Sequence, residues 1–245
     1  MKLAVVNGTV CDPANNFFRK ADVLVENGKI KKVGKIEKVK KPGKVIDAKG
    51  RVVCPGFIDV HTHLREPGNE QAETFQTGGL AAAAGGFTTI FAMPNTAPVI
   101  DSPLLVKYVL LESARRCAVN VCPVGAITKK SEGRELAEIG LMKEAGITAV
   151  SDDGNTVMNS LVMRRALDYT RTFSLTVITH CEDVNLTAAG EMNEGYTSTL
   201  LGLKGIPRQA EEIIVARDIA LAELTGGKLH IAHVSCAGSV ELVRQ

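Results

Sequence analysis

The sequence predicts an α/β protein in which a (β/α) barrel follows a small all-β module. From about residue 53 onward, apolar strand-like runs alternate with helical stretches at the spacing of βαβ units. The first fifty or so residues instead contain short strands separated by turn signals. Polar residues of catalytic type end five of the six predicted strands of the second part. In a barrel, such residues converge from several strands on one axis.

The composition is that of an ordinary globular protein. The 245 residues are 45% hydrophobic and 23% charged. The net charge of +2 is too small to create an electrostatic field that would attract nucleic acid or an anionic membrane. Residues 1–53 carry 13 basic and 5 acidic side chains, a local charge of +8 that leaves −6 for the rest. A basic RNA-binding arm is one interpretation of this segment. Its lysines, however, alternate with the apolar residues Ile30, Val33, Ile36 and Val39. Such alternation is typical of the solvent-exposed face of a strand at the edge of a sheet. We therefore expect no nucleic-acid partner.

The cysteines and the amino terminus bear on the cellular compartment. Six cysteines occur singly, without any Cys-x-x-Cys pair, which predicts reduced, structural thiols. Asn7 and Gly8 interrupt the first apolar run, so residues 1–10 lack the apolar region of a signal peptide. No apolar stretch approaches the roughly 20 residues that span a bilayer. We expect a cytoplasmic location and no membrane partner.

The first domain, residues 1–52, is predicted to contain four short strands separated by turns. The strands are Leu3–Val6, Asp22–Val25, Lys29–Val33 and Val45–Asp47. The turn signals are Asn7-Gly8, Asn27-Gly28 and Lys49-Gly50. A module of this size is too small to be stable by itself.

The second domain, residues 53–245, is predicted to contain six strands. They are Phe57–His61, Thr88–Met93, Asn120–Ala126, Ile147–Val150, Leu175–His180 and Lys228–Val234. Helix signals lie between them: Asp101-Ser102-Pro103 begins one helix, Gly146 ends another, and Pro207 precedes a long run that ends at Gly226. An open doubly wound sheet is the alternative, but it concentrates functional groups at one switch point, whereas here they follow five strands.

Four of the five histidines follow apolar strands. His61 and His63 end the first strand, and residues i and i+2 of a strand point to the same face, so the two imidazoles could hold one divalent ion. His180 and His233 end the fifth and sixth strands. A lone histidine after a strand is more often a core residue than a ligand, but four at strand ends favour a shared metal site. His230 lies within a strand and is assigned no ligand role.

An acidic pair follows the fourth strand, in the run Asp152-Asp153-Gly154. This run is a turn signal in itself. At the end of a barrel strand, one of its carboxylates could also bridge two metal ions about 3.5–4 Å apart. The spacing does not tell which aspartate would do so.

Two further residues suit the binding of a planar carboxylate. Arg65 follows the histidine pair and Asn95 follows the second strand. A surface salt bridge between Arg65 and Glu66 is the alternative for the first, and a turn role after Pro94 is the alternative for the second.

Together these motifs resemble the class I dihydroorotases of the amidohydrolase superfamily. The run His61-Thr62-His63-Leu64-Arg65-Glu66-Pro67-Gly68 resembles their first signature, and Met93-Pro94-Asn95-Thr96 resembles the second. Three more motifs follow in the family's order: Asp152-Asp153-Gly154, His180-Cys181-Glu182-Asp183 and His233-Val234-Ser235. The resemblance covers essentially the whole chain. It implies a TIM-type (β/α)8 metal-dependent hydrolase barrel, with strands one to six in this chain, and a composite β-sandwich to which residues 1–52 contribute one segment.

The resemblance also implies a role for each site residue. His61 and His63 resemble the ligands of one zinc ion, His180 and His233 those of a second, and Asp153 the carboxylate that bridges both. The implied substrate-binding residues are His63, Arg65 and Asn95. The implied reaction is the reversible conversion of N-carbamoyl-L-aspartate to (S)-dihydroorotate in de novo pyrimidine (UMP) biosynthesis. A hydroxide between two zinc ions would be its nucleophile.

Other cyclic amidohydrolases are the nearest alternatives. Allantoinases and hydantoinases share the barrel but typically bridge their metals with a carboxylated lysine after strand four. This chain offers only Asp152 and Asp153 there, which favours a dihydroorotase.

A departure from the family concerns the proton shuttle. The resemblance implies an aspartate at the end of the eighth barrel strand, and this residue would lie beyond Gln245. We therefore expect residues 1–245 alone, whether a fragment or a degenerate paralogue, to be inactive and to expose unpaired barrel edges. An inactive scaffold partner of aspartate transcarbamoylase is a further alternative, against which the complete set of five metal ligands argues. A homo-oligomer is expected.

Overall fold

The computed structural model describes residues 2–36 and 43–245, and the chain forms two compact units, Met1–Phe57 and Ile58–Gln245. The first unit is a five-stranded sheet in the order β3-β2-β1-β4, with β5 also paired to β1. Its strands are β1 (Lys2–Asp12), β2 (Phe17–Glu26), β3 (Lys29–Gly34), β4 (Lys44–Asp47) and β5 (Val52–Val53). The pairs β1–β2 and β2–β3 are antiparallel, whereas β4 and β5 run parallel to β1.

The turn predicted at Asn7-Gly8 is wrong, because β1 continues through these residues. The pairing with β2 shifts register between Val5 and Gly8, so the chain bulges instead of reversing. Asn7 adopts a left-handed backbone with φ 64°, which asparagine tolerates better than most residues. A Cβ atom at Gly8 would lie 2.6 Å from Cγ2 of Val53, so the neighbouring strand also requires glycine here.

The other turn signals of this unit are confirmed. Asn27 and Gly28, both with positive φ, join β2 to β3 as a two-residue hairpin loop. Strand β3 lies at the edge of the sheet, as its lysines predicted. Its apolar residues Ile30 and Val33 are exposed in this unit, and Val39 lies outside the described residues.

The second unit alternates strands and helices. Its remaining strands are β6 (Phe57–Thr62), β7 (Phe87–Ala92), β8 (Asn120–Gly125), β9 (Ala149–Ser151), β10 (Thr176–Thr179), β11 (Met192–Asn193), β12 (Gly205–Ile206) and β13 (Lys228–Ile231). Its helices are α1 (Phe75–Ala84), α2 (Pro103–Arg116), α3 (Ile139–Ala145), α4 (Ser160–Thr172), α5 (Val184–Thr187), α6 (Tyr196–Leu201), α7 (Gln209–Thr225) and α8 (Ala237–Arg244). All six predicted strands are therefore present.

Six of these strands form one sheet in the order β13-β10-β9-β8-β7-β6. The pairings from β7 to β13 are parallel, and Met93 N donates to Thr62 O (2.9 Å) beside β6. Because spatial order follows chain order without the reversal of a doubly wound sheet, these strands form part of a (β/α) barrel. This confirms the predicted fold class. Strands β11 and β12 pair separately.

Two apolar layers flank the six-stranded sheet. The larger core packs the helices against the strands around fully buried side chains such as Phe75, Met142 and Leu167. A smaller cluster takes one residue from each of five strands or strand ends and lies on the opposite side: Met93, Val124, Ala149, Ile178 and Ala232. Side chains of alternate direction along a strand fill these two layers, as in a barrel with a packed interior.

The predicted helix boundaries agree with the structure. Ser102 precedes α2 with Pro103 in its first turn, Gly146 ends α3 in a left-handed conformation, and Gly226 ends α7 in the same way. Among the described residues, no helix combines the length and apolar character required to cross a membrane.

Candidate metal centre

The predicted site residues lie at the carboxyl ends of neighbouring strands. His61 and His63 lie at the end of β6, Asp153 two residues after β9, His180 directly after β10 and His233 two residues after β13. Because these strands are parallel and adjacent, their ends meet at one edge of the sheet. The fifth histidine, His230, is exposed within β13.

Asp153 is the centre of this group. Its Oδ1 atom lies 3.2 Å from Nε2 of His61, 3.7 Å from Nε2 of His233 and 3.9 Å from Nδ1 of His180. Its Oδ2 atom lies 3.5 Å from Nε2 of His63. The side chain is only 5% exposed, so four imidazoles surround a buried carboxylate.

His180 and His233 also contact each other. Nδ1 of His180 lies 3.0 Å from Nε2 of His233, and the rings meet edge to face with centroids 4.7 Å apart. The other nitrogen of His180, Nε2, lies 3.1 Å from Oε2 of Glu182. A carboxylate on one ring nitrogen fixes the proton there and leaves the other nitrogen free to bind a metal.

Asn95 connects His63 to Asp153. Its Oδ1 atom lies 3.1 Å from Nδ1 of His63, and its Nδ2 atom donates to Oδ2 of Asp153 at 3.2 Å. If Nδ1 of His63 carries the proton and donates a hydrogen bond to this oxygen, Nε2 of the ring, which faces Asp153, is free as a ligand atom. The structure thus places Asn95 next to the ligand group, and its substrate-binding role stays a prediction.

Asp152 points away from the imidazoles and binds backbone. Its Oδ1 atom accepts from the amides of Ile127 (2.8 Å) and Thr128 (3.0 Å), and its Oδ2 atom accepts from the Thr128 hydroxyl. Asp152 is buried, with 2% of its surface exposed. The geometry separates two aspartates that sequence spacing left equivalent, because one anchors the loop after β8 and the other faces the histidines.

Arg65 does not pair with Glu66. The buried Glu66 carboxylate instead pairs with Arg116 and accepts from the amide of Phe75 at 3.1 Å. In the described part of the chain, the Arg65 guanidinium makes no hydrogen bond or ion pair. Its backbone is left-handed, with φ 56°. The salt-bridge alternative for Arg65 is therefore wrong, and its guanidinium is available to an anion.

The electrostatics of the group favour an ionised carboxylate. Burial by itself raises the pKa of Asp153, but the contact with His233 and the charges of the other three histidines together outweigh burial and lower it. Burial lowers the pKa of His61. The contact with Asp153 raises the pKa of His233. A negative carboxylate among imidazoles is a donor set that suits a divalent cation.

These residues fit a metal centre. Single ligand atoms of His61, Asp153 and His233 all lie within 4.8 Å of one another. Tetrahedral zinc with ligands at about 2.0–2.1 Å requires ligand atoms roughly 3.3 Å apart, so small movements would complete such a set. Cys181, beside His180, packs with Ile214 and Val215, and burial raises the pKa of its thiol to about 12. All six cysteines are free, which agrees with the predicted reduced thiols.

Three residues beside the centre were missed by the sequence reasoning. Glu182 contacts His180, the Thr156 hydroxyl contacts the chain on both sides of Cys181, and the Glu211 carboxylate accepts from the amides that follow His233. The i, i+2 spacing of His180 and Glu182 was a visible signal. The other two contacts join loops that are far apart in the sequence, which no local pattern reveals.

Comparison with known proteins identifies relatives along the whole chain. Residues 50–239 match the family model described as dihydro-orotase-like. Curated proteins named dihydroorotase from Endomicrobium trichonymphae and Pelotomaculum thermopropionicum are 53% and 54% identical, over 100% of this chain in each case. The chain spans 57% of the length of each of these two relatives.

Solved structures of similar fold include hydantoinases. An L-hydantoinase (dihydropyrimidinase) from Arthrobacter aurescens superposes with a TM-score of 0.81 at 21% identity, covering 99% of this chain and 55% of that one. A dihydropyrimidinase from Brevibacillus agri superposes with a TM-score of 0.76 at 26% identity, covering 100% and 54%. The sequence is thus much closer to the proteins named dihydroorotase than to these structural neighbours.

Proposed function

The chain belongs to the dihydro-orotase-like family, and we propose that it carries the metal centre of a dihydroorotase. The proposed reaction is the reversible interconversion of N-carbamoyl-L-aspartate and (S)-dihydroorotate in pyrimidine biosynthesis. The observation that carries this proposal is the convergence of four histidines on the buried carboxylate of Asp153.

Five residues would hold two zinc ions. Following the family resemblance, we assign His61 and His63 to one ion, His180 and His233 to the other, and Asp153 to both. The buried carboxylate is close to all four imidazoles, with Oδ2 facing His63 and Oδ1 facing the other three. When bound, the two ions would lower the pKa of a water molecule and polarise the carbonyl of the cyclic amide. Asp153 stays ionised near neutral pH because its pKa is lowered.

The remaining residues of the site would orient ligands and substrate. Asn95 holds the ring of His63 with Nε2 toward Asp153, and Glu182 holds His180 with Nδ1 toward the same carboxylate. Arg65, whose guanidinium has no partner among the residues that the structure describes, would bind the carboxylate of dihydroorotate in a bidentate manner. Together with Asn95 and His63, it forms the proposed substrate-binding set.

The substrate carboxylate separates this proposal from a hydantoinase or allantoinase function. Dihydrouracil is dihydroorotate without the carboxylate, so the two compounds test Arg65 directly. The aspartates after β9 support the same choice, because no lysine is available there to bridge metals.

The test is turnover by the full-length protein, assayed after measurement of its metal content. We expect two zinc ions per chain and turnover of dihydroorotate, with hydantoin, allantoin and dihydrouracil turned over slowly or not at all. Arg65→Met should lower kcat/KM for dihydroorotate by about 100-fold or more, since a charge-assisted bidentate contact contributes roughly 3 kcal/mol. Turnover of hydantoin or allantoin in preference to dihydroorotate would contradict the proposal, as would a metal-free protein.

The cellular setting of the proposal rests on the family resemblance. It comprises a cytoplasmic location, assembly into a homo-oligomer, partnership with aspartate transcarbamoylase, and a composite β-sandwich that includes residues 1–52. The molecular mass of the full-length protein in solution tests the homo-oligomer. The same measurement on a mixture with the transcarbamoylase tests the complex of the two proteins.

A further inference from the structure

Two loops of the centre are joined by a single hydroxyl group. The Oγ1 atom of Thr156 donates to the carbonyl oxygen of His180 at 2.7 Å and accepts from the amide of Glu182 at 3.1 Å. Thr156 lies three residues after Asp153. One side chain from the loop that carries the central carboxylate therefore holds the loop after β10 on both sides of Cys181.

Thr156 is itself held in place. The amide of Asn155 donates to the carbonyl of Asp152 at 2.8 Å, and Gly154 supplies a positive φ of 82° within this turn. The Asp152 carboxylate is anchored by the backbone after β8, and Val157 is 2% exposed. The hydroxyl is thus presented from a fixed turn, so it can set the position of a neighbouring loop.

The two hydrogen bonds determine where the Glu182 carboxylate can reach. With the His180 carbonyl and the Glu182 amide bound to one oxygen, the bend between them is fixed. From that bend, Oε2 of Glu182 lies 3.1 Å from Nε2 of His180. The opposite ring nitrogen, Nδ1, then faces Asp153 and lies 3.0 Å from Nε2 of His233. Contacts of this kind orient metal-binding histidines and set their tautomer.

We propose that Thr156, acting through Glu182, is a positioning residue that aligns His180 with Asp153 for metal binding. The inference rests on the proposed metal centre. It does not extend to His61 and His63, which lie at the end of β6, with Asn95 on the ring of His63. Thr156 is therefore expected to matter for one of the two metal ions and not for the other.

The test replaces the hydroxyl without changing the shape of the side chain. Thr156→Val removes both hydrogen bonds, Thr156→Ser keeps them, and Thr148→Val is the matched control. Thr148 is exposed, and its hydroxyl donates to Pro123 O at 3.3 Å, away from the strand ends that form the centre. The readouts are metal content and metal affinity of the full-length protein by chelator competition, with thermal unfolding to show that each variant is folded.

We expect Thr156→Val to bind one metal ion like the wild type and the second about 10–100-fold more weakly, the range typical of residues that orient a ligand. Thr156→Ser and Thr148→Val should bind both ions like the wild type. A folded Thr156→Val variant with two ions of wild-type affinity would overturn the inference. Equal weakening of both ions, or a similar loss in Thr148→Val, would also overturn it.

A second variant covers the case in which Thr156→Val does not fold. Glu182 is 41% exposed at its side chain, and Glu182→Ala leaves the hydroxyl bridge in place. It should weaken the same single ion, and wild-type affinity in this variant would overturn the inference. A wild-type protein that binds no metal overturns the proposed function itself, whereas a wild type with two ions and unaffected variants overturns only this inference.

Discussion

The two halves of the proposed centre are built differently. His61 and His63 project from the end of one strand, β6, two residues apart. His180 and His233 come from two strands, β10 and β13, and touch each other at 3.0 Å. The first pair is aligned by the pleat of a single strand, with one further contact from Asn95 to His63. The second pair depends on several contacts between loops.

Helix α7 holds the loops of the second half, and the backbone at His233 is strained. The Glu211 carboxylate of α7 accepts from the amides of Ser235 and Cys236 at 3.0–3.1 Å. The amide of Asp183 donates to the carbonyl of Ala210 at 2.8 Å. His233 has a positive φ of 34°, which a non-glycine residue adopts only when its surroundings hold it there. Perturbation of tertiary contacts should therefore damage this half first.

The largest effect is expected from the one residue that both halves share. Asp153→Ala should abolish binding of both ions and lower turnover by more than the roughly 10–100-fold loss typical of orienting residues. Asp152→Asn is the matched control, because this carboxylate points away from the histidines and accepts from the amides of Ile127 and Thr128 and from the Thr128 hydroxyl. It should instead lower the free energy of unfolding by about 1–3 kcal/mol, the cost of a poorly satisfied buried donor. Metal analysis and chemical denaturation of the two variants check both statements, and retention of two ions by Asp153→Ala would contradict the first.

A smaller and one-sided effect is expected from Glu211. Glu211→Ala removes the acceptor of two amides that follow His233, so the loop can relax from its left-handed conformation. We expect weaker binding of the ion held by His180 and His233 by about 10-fold, with the other ion unaffected. Glu223→Ala, an exposed change on the same helix, is the control. Titration with zinc against a chelator measures both affinities, and a uniform loss would argue against two separable halves.

The smallest effect is a difference in acid sensitivity. A metal ion binds neutral imidazole. The pKa of His233 is raised by its contact with Asp153, and that of His61 is lowered by burial. As the pH falls, His233 therefore takes up a proton before His61 does, and the ion of the second half should leave first. Metal content after dialysis at stepwise lower pH tests this order. Simultaneous release, or earlier loss from the His61 half, would show that these pKa differences do not govern binding.

The fold and the grouping of four histidines at strand ends could be predicted from the sequence because their signals are local. Alternating strands and helices predicted the parallel sheet, and the i, i+2 spacing predicted that His61 and His63 share a face. The choice between Asp152 and Asp153 could not be made from spacing, because it depends on which carboxylate meets the amides of Ile127 and Thr128.

Other features depend on contacts between distant segments. The bulge at Asn7-Gly8 was predicted as a turn, since Asn-Gly signals a reversal and only the pairing partners reveal a continued strand. A salt bridge between Arg65 and Glu66 was the alternative to a carboxylate-binding role of Arg65, but Glu66 pairs with Arg116, 50 residues along the chain. Thr156 and Glu211 act on loops 24 to 26 residues away, so only the folded chain shows their roles.

The central claim is that Asp153 joins two metal ions held by two different histidine pairs. Crystals of the full-length protein grown with zinc, measured at the zinc absorption edge, test it most directly. We expect two anomalous peaks about 3.5–4 Å apart, one beside His61 and His63 and one beside His180 and His233, each within bonding distance of an Asp153 oxygen. A single peak, or peaks that Asp153 does not contact, would contradict it.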